Sequence, residues 1–336
     1  MDAYERITRN AEEVVTDEEV QALAESPEGK RVYVGYEPSG VLHVGHMLTA
    51  NKLIDLQEAG MEVVVLLADV HAYLNGKGSF EEIERTAEKM RQQFLAYGLD
   101  EDKTEFVYGS SYQLDDDYAL DLHELELDTT LNRAQRAMAE IQGDETAKVS
   151  HVVYPLMQAL DVEYLDLDLA VGGMDQRKVH MLMREELPEI GYDARPVLHT
   201  PILADLGTGA GKMSSSSGVT ISMEDSTEDI EEKVNAAFCP PTRDPDPDDE
   251  GNERENPRPR NRARPRRHGR RERRGLGGQP PLCEFALVEL RDPAAGRRDR
   301  RRGPRRRDAG GRRRGPVTRT APSRRGRVGS RRRGGR

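Results

Sequence analysis

Cysteine is almost missing: Cys239 and Cys283 are the only two among 336 residues. Two thiols cannot hold a metal cluster, and a single bridge is no disulfide framework of the kind that staples small secreted domains. Long apolar runs are missing as well. No stretch approaches the roughly eighteen uninterrupted apolar residues of a membrane-crossing helix, and the charged start MDAYERITRN has no apolar leader-like core. A soluble, cytoplasmic protein with no membrane partner is therefore expected. No internal repeat is found, and the length suffices for one large domain or two ordinary ones with a sizeable core.

Lysine is missing from the last part of the chain. Residues 257–336 carry 30 arginines, no lysine and only 6 acidic residues, in runs such as RPRRHGRRERRGLGG. Residues 1–256 are the opposite, with 55 Asp and Glu against 21 Lys and Arg. So acidic a body repels itself in dilute salt, which is the balance expected of a cytosolic protein from a halophile, and folding should depend on salt. The basic tail lacks apolar periodicity and could not offset its own ordering entropy, so it is expected to be disordered. A genuine RNA-binding tail is one reading of it, but its phosphate contacts would weaken badly at high salt. We read it instead as a shifted reading frame in GC-rich DNA, where Arg, Gly, Pro and Ala codons dominate.

The body alternates short apolar runs with helical patterns. RVYVGY reads as a buried strand, followed by a Pro-Ser-Gly loop and a helix, HVGHMLTANKLIDLQEAG, that closes on Gly60; MEVVVLLAD is the next strand. A helix near 79–97, a strand at TEFVYGS, helices from Leu131 and from His151, a strand in YLDLDLAVGG, a helix from Gln176 and a strand in RPVLHTPIL continue the series. The charge run DDDYALDLHELELD reads as a solvated face. Such alternation predicts an α/β protein with an open, doubly wound, largely parallel sheet whose ligands lie at the carboxyl ends of the strands.

His43 and His46 fall in the first turn of the helix after the first predicted strand, beside a positive helix end suited to phosphate. A zinc reading lacks a third ligand and a His-Glu-x-x-His pattern, so no metal site is assigned. Standing alone, the pair reads equally well as capping histidines. The second feature is GAGKMSSSSG, Gly209 to Gly218. It is no P-loop, because Leu206 stands where the first glycine belongs and Met213 follows Lys212. What remains is a loop with one point charge and several hydroxyls, suited to closing over a polyphosphate.

HVGH and KMSSS, in this order and about 170 residues apart, resemble the two signatures of class I aminoacyl-tRNA synthetases. YVGYEPSGVLHVGHML, LLADVHAYLNGKG and VYPLMQALDVEYLDLDLAVGGMDQRKVHML extend the resemblance to the archaeal-type tyrosyl-tRNA synthetases over about residues 1–256, where it stops abruptly. The resemblance implies a Rossmann-like catalytic domain over 1–225, with an inserted helical segment near 112–150 that builds a homodimer. It also implies that 226–256 begins a C-terminal helical region, with the anomalous tail over 257–336. The implied partners are L-tyrosine, ATP and tRNA(Tyr), with Mg²⁺ and without DNA.

Residue by residue, the resemblance puts His43 and His46 on the ATP phosphates, and Lys212 with Ser214, Ser215 and Ser216 on the departing pyrophosphate. Gly45 and Met213 would lie against the nucleotide. Ser215 stands where many relatives carry a second lysine. Tyr33 and Asp161 would hold the substrate hydroxyl, and Tyr154, Gln158 and Gln176 its ammonium. The spacing of Tyr154, Gln158 and Asp161 puts all three on one helix face. Without a substrate hydroxyl its partners would be left unpaired; tyrosyl enzymes are themselves the known example of such rejection, by about 10⁵, a scale taken over and not worked out from this sequence. His71 and Gln113 read as pocket or core residues with equal ease. Two other readings stay open: a tryptophanyl-tRNA synthetase, separable by amino-acid dependence, and a noncatalytic RNA-binding protein, separable by RNA affinity after removal of the tail.

Overall fold

The computed structural model describes residues 1–142, 148–213 and 219–239. The Arg-rich tail, the acidic stretch before it and Ser214, Ser215 and Ser216 lie outside the described residues. In chain order the first elements are α1 (Ala3–Thr8), β1 (Glu13–Val15), α2 (Asp17–Glu25), β2 (Arg31–Tyr36), α3 (Val44–Ala59) and β3 (Glu62–Leu67). Then come α4 (Asp69–Leu74), α5 (Phe80–Tyr97), β4 (Thr104–Tyr108), α6 (Asp116–Asp128), α7 (Leu131–Gln142) and α8 (Ser150–Tyr164). The series closes with β5 (Leu169–Gly173), α9 (Arg177–Glu186), β6 (Val197–Thr200) and α10 (Thr227–Ala236).

The six strands form one sheet in the order β1-β6-β5-β2-β3-β4. Every pair is parallel except β1 with β6. Alternation along β2 explains the two-sided packing, because successive side chains point to opposite faces. Val32, Val34 and Tyr36 join Leu53 and Leu56 of α3 and Phe94 of α5 in one apolar layer. Tyr33 joins Leu156 and Leu160 of α8 and Val179 of α9 in the other. The sheet is therefore covered on both faces, as a parallel sheet must be.

β2 has β3 on one side and β5 on the other, so the chain winds outward through β3 and β4 and later through β5 and β6 in the opposite direction. At such a switch point the carboxyl ends of the central strands leave a crevice. The ends of β2 and β5 open onto it. One sequence expectation needs correction here: the charge run is not simply a solvated face. Its helix, α6, exposes most of its acids but buries Tyr118 and Leu125 completely, and its half-buried Asp121 accepts from the hydroxyls of Tyr164 and Tyr192.

Candidate active site

The crevice is a cleft of about 380 Å³ lined by Tyr33, His43, Gly45, His46, Tyr154 and Gln158, and by Asp161, Gln176, Lys212 and Met213. Those ten are the site residues expected from the sequence, apart from Ser214, Ser215 and Ser216, which are outside the described residues.

The histidines are placed by the start of α3. His43 is its N-cap, extended at φ −128° and ψ 170°, and its Nδ1 accepts the Gly45 backbone N–H at 3.1 Å. His46 Nδ1 accepts the His43 backbone N–H at 3.2 Å. The capping reading and the cleft reading thus describe the same residues. A neutral imidazole has one N–H, and with both Nδ1 atoms accepting, that N–H sits on Nε2 in each ring. The rings lie 3.9 Å apart by centroid. Burial, followed by the Lys212 charge, pushes His43 down to about 4. Burial, then His43 and Lys212, pushes His46 down to about 3. Both act as neutral donors at pH 7.

The two signatures meet because the segment around the loop is strapped to the histidine turn. Val44 N–H donates to the Ile221 carbonyl and Met223 N–H to the Leu42 carbonyl, each at 2.9 Å, while Met213 N–H reaches the Leu203 carbonyl at 2.8 Å. The flank after the loop is therefore fixed to the His43 turn, and the flank before it is held at Leu203. Lys212 pairs with Asp175, whose Oδ2 also accepts from Gln176 Nε2 at 3.0 Å. Gln176 Oε1 accepts from Gln158 Nε2 at 3.1 Å, which closes a polar chain from the lysine to α8.

The closed end of the cleft is built around Asp161, which is fully buried. Its Oδ1 accepts from Gln113 Nε2 at 2.7 Å and from the hydroxyls of Tyr112 and Tyr118 at 2.9 Å each. Its Oδ2 has no hydrogen-bond partner among the described residues, and neither has His71 Nε2, 3.9 Å away. Burial raises the Asp161 carboxyl, while His71 and the three donors pull it back. Burial and the Asp161 charge together raise the Tyr33 hydroxyl.

The sequence reading missed several residues here. Glu37, just past β2, accepts at Oε1 from Tyr154 Oη and from Asn75 Nδ2, both at 2.6 Å. Asp175 and Lys77 line the cleft inside stretches already singled out, GGMDQRK and LNGKG. Tyr112 and Tyr118 carried no signal of their own, since each meets Asp161 from more than 40 positions away in the chain.

A family model described as tRNA synthetases class I (W and Y) matches residues 27–262. The chain is 80% identical over 246 residues to the tyrosine–tRNA ligase of Halobacterium salinarum, which covers 73% of this chain and 75% of that one. Against the tyrosine–tRNA ligase of Archaeoglobus fulgidus it is 57% identical over 235 residues, 70% of this chain and 72% of the relative. The crystal structure of tyrosyl-tRNA synthetase complexed with L-tyrosine from Archaeoglobus fulgidus superposes with a TM-score of 0.68 at 56% identity, covering 71% of this chain and 74% of that one.

Proposed function

The chain belongs to the class I tRNA synthetases (W and Y), and from that premise we propose that it works as a tyrosine–tRNA ligase, with its chemistry divided among the cleft residues as follows. Tyrosine and ATP give tyrosyl-adenylate and pyrophosphate; the tyrosyl group then passes to the 3′ end of tRNA(Tyr). In the first step the tyrosine carboxylate attacks the α-phosphorus of ATP, and the bond to the β-phosphate breaks. In the second, a ribose hydroxyl of the tRNA attacks the tyrosyl carbonyl, gives up its proton, and AMP leaves. No covalent enzyme intermediate is needed, so the protein contributes positioning and electrostatics.

Asp161 Oδ2 carries the amino-acid assignment. A fully buried carboxylate oxygen without a partner, at the closed end of a cleft beside Tyr33, calls for a donor from the substrate. The phenolic hydroxyl of tyrosine supplies one at the far end of its ring, whereas the wider indole of tryptophan carries its N–H nearer the backbone. Glu37, with Tyr154, Gln158 and Gln176, is the counter-group for the substrate ammonium. His43 and His46 donate Nε2–H to the phosphates, where neutral donors stabilise charge as it builds without being drawn into permanent ion pairs. Lys212 leaves Asp175 for the departing pyrophosphate, helped by Ser214, Ser215 and Ser216, while Gly45 and Met213 face the nucleotide. Lys77, exposed at the other side of the cleft, offers a second cation. Mg²⁺ carried by the ATP polyphosphate, whose hard oxygens suit it, would add countercharge for the departing pyrophosphate.

The catalytic domain spans 1–225, and the inserted segment near 112–150 makes the homodimer. In its support, Leu114, Leu120, Leu127, Leu131 and Val149 are all more than half exposed within that segment. The region from 226 begins the C-terminal helical part, and the tail from 257 is a frame-shifted translation. No helix among the described residues is long and apolar enough to cross a membrane; the cytoplasm, where translation takes place, is the proposed location.

The deciding experiment is amino-acid-dependent ATP/pyrophosphate exchange by the whole chain in multi-molar KCl with Mg²⁺. Exchange with tyrosine and none with tryptophan or phenylalanine supports the reading. Silence with tyrosine, persisting after the tail is replaced by the alternate-frame translation, defeats it.

A further inference from the structure

Asp161 is held on one side only. Three donors converge on Oδ1, while Oδ2 accepts no hydrogen bond and has only His71 Nε2 near it, at 3.9 Å. The three are not equivalent. Tyr118 has one hydroxyl proton to share between Asp161 Oδ1 and the Met157 carbonyl, both at 2.9 Å. Gln113 Nε2 lies 2.7 Å from Asp161 and 3.4 Å from His71 Nδ1, so its amide serves two groups. The Tyr112 hydroxyl donates to Asp161 from the short turn after β4.

We propose that Tyr112 is a positioning residue for substrate selection: by engaging Oδ1 of Asp161 it turns Oδ2 towards the cleft, where it accepts the hydrogen bond of the substrate's phenolic hydroxyl. The inference rests on the tyrosine-ligase reading. It extends that reading to a side chain that need not touch the substrate. Tyr112 is only half-buried; its ring lies parallel to Tyr164 at 6.2 Å and edge-on to Tyr118 at 5.6 Å. Removing the hydroxyl alone therefore leaves the ring packing in place. The same hydrogen bond opposes the burial that favours the protonated carboxyl of Asp161. The ionisable groups facing Asp161 are His71 from α4, Tyr33 from β2, Tyr112 from the turn, Tyr118 from α6 and Tyr154 from its own helix.

The test compares the wild-type chain with Y112F in ATP/pyrophosphate exchange across pH 5.5 to 8.5, with tyrosine and phenylalanine in parallel. One hydrogen bond to a charged group lost from the selecting carboxylate should lower kcat/KM for tyrosine about tenfold, mainly through KM. The phenylalanine value should not move, so discrimination falls by the same factor. The acid limb of the tyrosine profile should shift to higher pH, because losing a donor raises the Asp161 carboxyl. Equilibrium binding of L-tyrosine, which needs no ATP chemistry, should weaken in step. A packing role alone would move both amino acids together and leave the acid limb alone, and that result overturns the inference. So does a Y112F enzyme whose binding and discrimination match wild type. Wild-type silence with tyrosine overturns the underlying reading, and the inference with it.

Discussion

His180 and His199 form a buried pair whose protonation the fold disfavours. His180 Nδ1 lies 3.0 Å from His199 Nε2, and His199 Nδ1 lies 2.9 Å from Glu13 Oε2, which is also held by Arg177. A single arrangement of protons satisfies all of these contacts: His199 donates from Nδ1 to the carboxylate and accepts at Nε2 from His180. A further proton on Nε2 of His199 would set N–H against N–H. That contact resists protonation of His199; His180, whose second proton would sit on Nε2, is pushed down to about 3 by burial, reinforced by the His199 charge. Since the folded value lies below the unfolded one, about 6.5, its stabilisation is fully present above about pH 6.5 and is lost as pH falls towards 3. At pH 5, about 1.5 units below the unfolded value, the loss is about 2 kcal/mol. The perturbation is His180→Asn, whose amide nitrogen can stand in for Nδ1 while removing the titration. Its smaller volume costs stability at every pH, about 2 kcal/mol or more for a buried ring. The informative quantity is therefore the difference between urea unfolding free energies at pH 7.5 and pH 5, measured in the same KCl concentration. That difference should be about 2 kcal/mol smaller in the variant. An identical pH dependence in both proteins would show that His180 is not held neutral, and would refute the reasoning.

Three other outcomes follow from the cleft and the charge balance. Gly45→Ala puts a Cβ 2.9 Å from Cε1 and 3.0 Å from Nδ1 of His43, so the ring must move off its cap. Exchange should fall about 100-fold, as misplaced reacting groups do, while helix propensity gains up to about 1 kcal/mol; an active variant would show that the His43 geometry is dispensable. Lys77→Ala and Lys212→Ala should each lower kcat by about 100-fold with little change in tyrosine KM, the mark of a group acting on the leaving pyrophosphate. If Lys77→Ala leaves kcat unchanged, it is a surface residue and the second cation is elsewhere. The melting temperature should climb from dilute to multi-molar KCl, because screening relieves the excess of acids in the body; equal melting temperatures in the two buffers would remove the halophilic reading.

What the sequence displays is what can be read from neighbours along the chain. The βα alternation, the helix face of Tyr154, Gln158 and Asp161, and the turn holding His43 and His46 are all local patterns, and the structure has each where periodicity puts it. β1 is not visible that way. Glu13–Val15 is too short for alternation to register, and it becomes a strand only through antiparallel pairing with Val197–His199. The polar shell of the cleft escapes for the same reason. Glu37 meets Tyr154 across 117 positions, Tyr112 meets Asp161 across 49, and Tyr118 sits in a helix whose acidic residues dominate its pattern. Local periodicity determines which helix face is turned inward, but whether a buried carboxylate keeps one oxygen free depends on donors gathered from several elements. The polar closed end of the cleft is therefore a tertiary property. That is why a substitution such as Y112F, far from both signatures in the sequence, should alter amino-acid choice while leaving those signatures untouched.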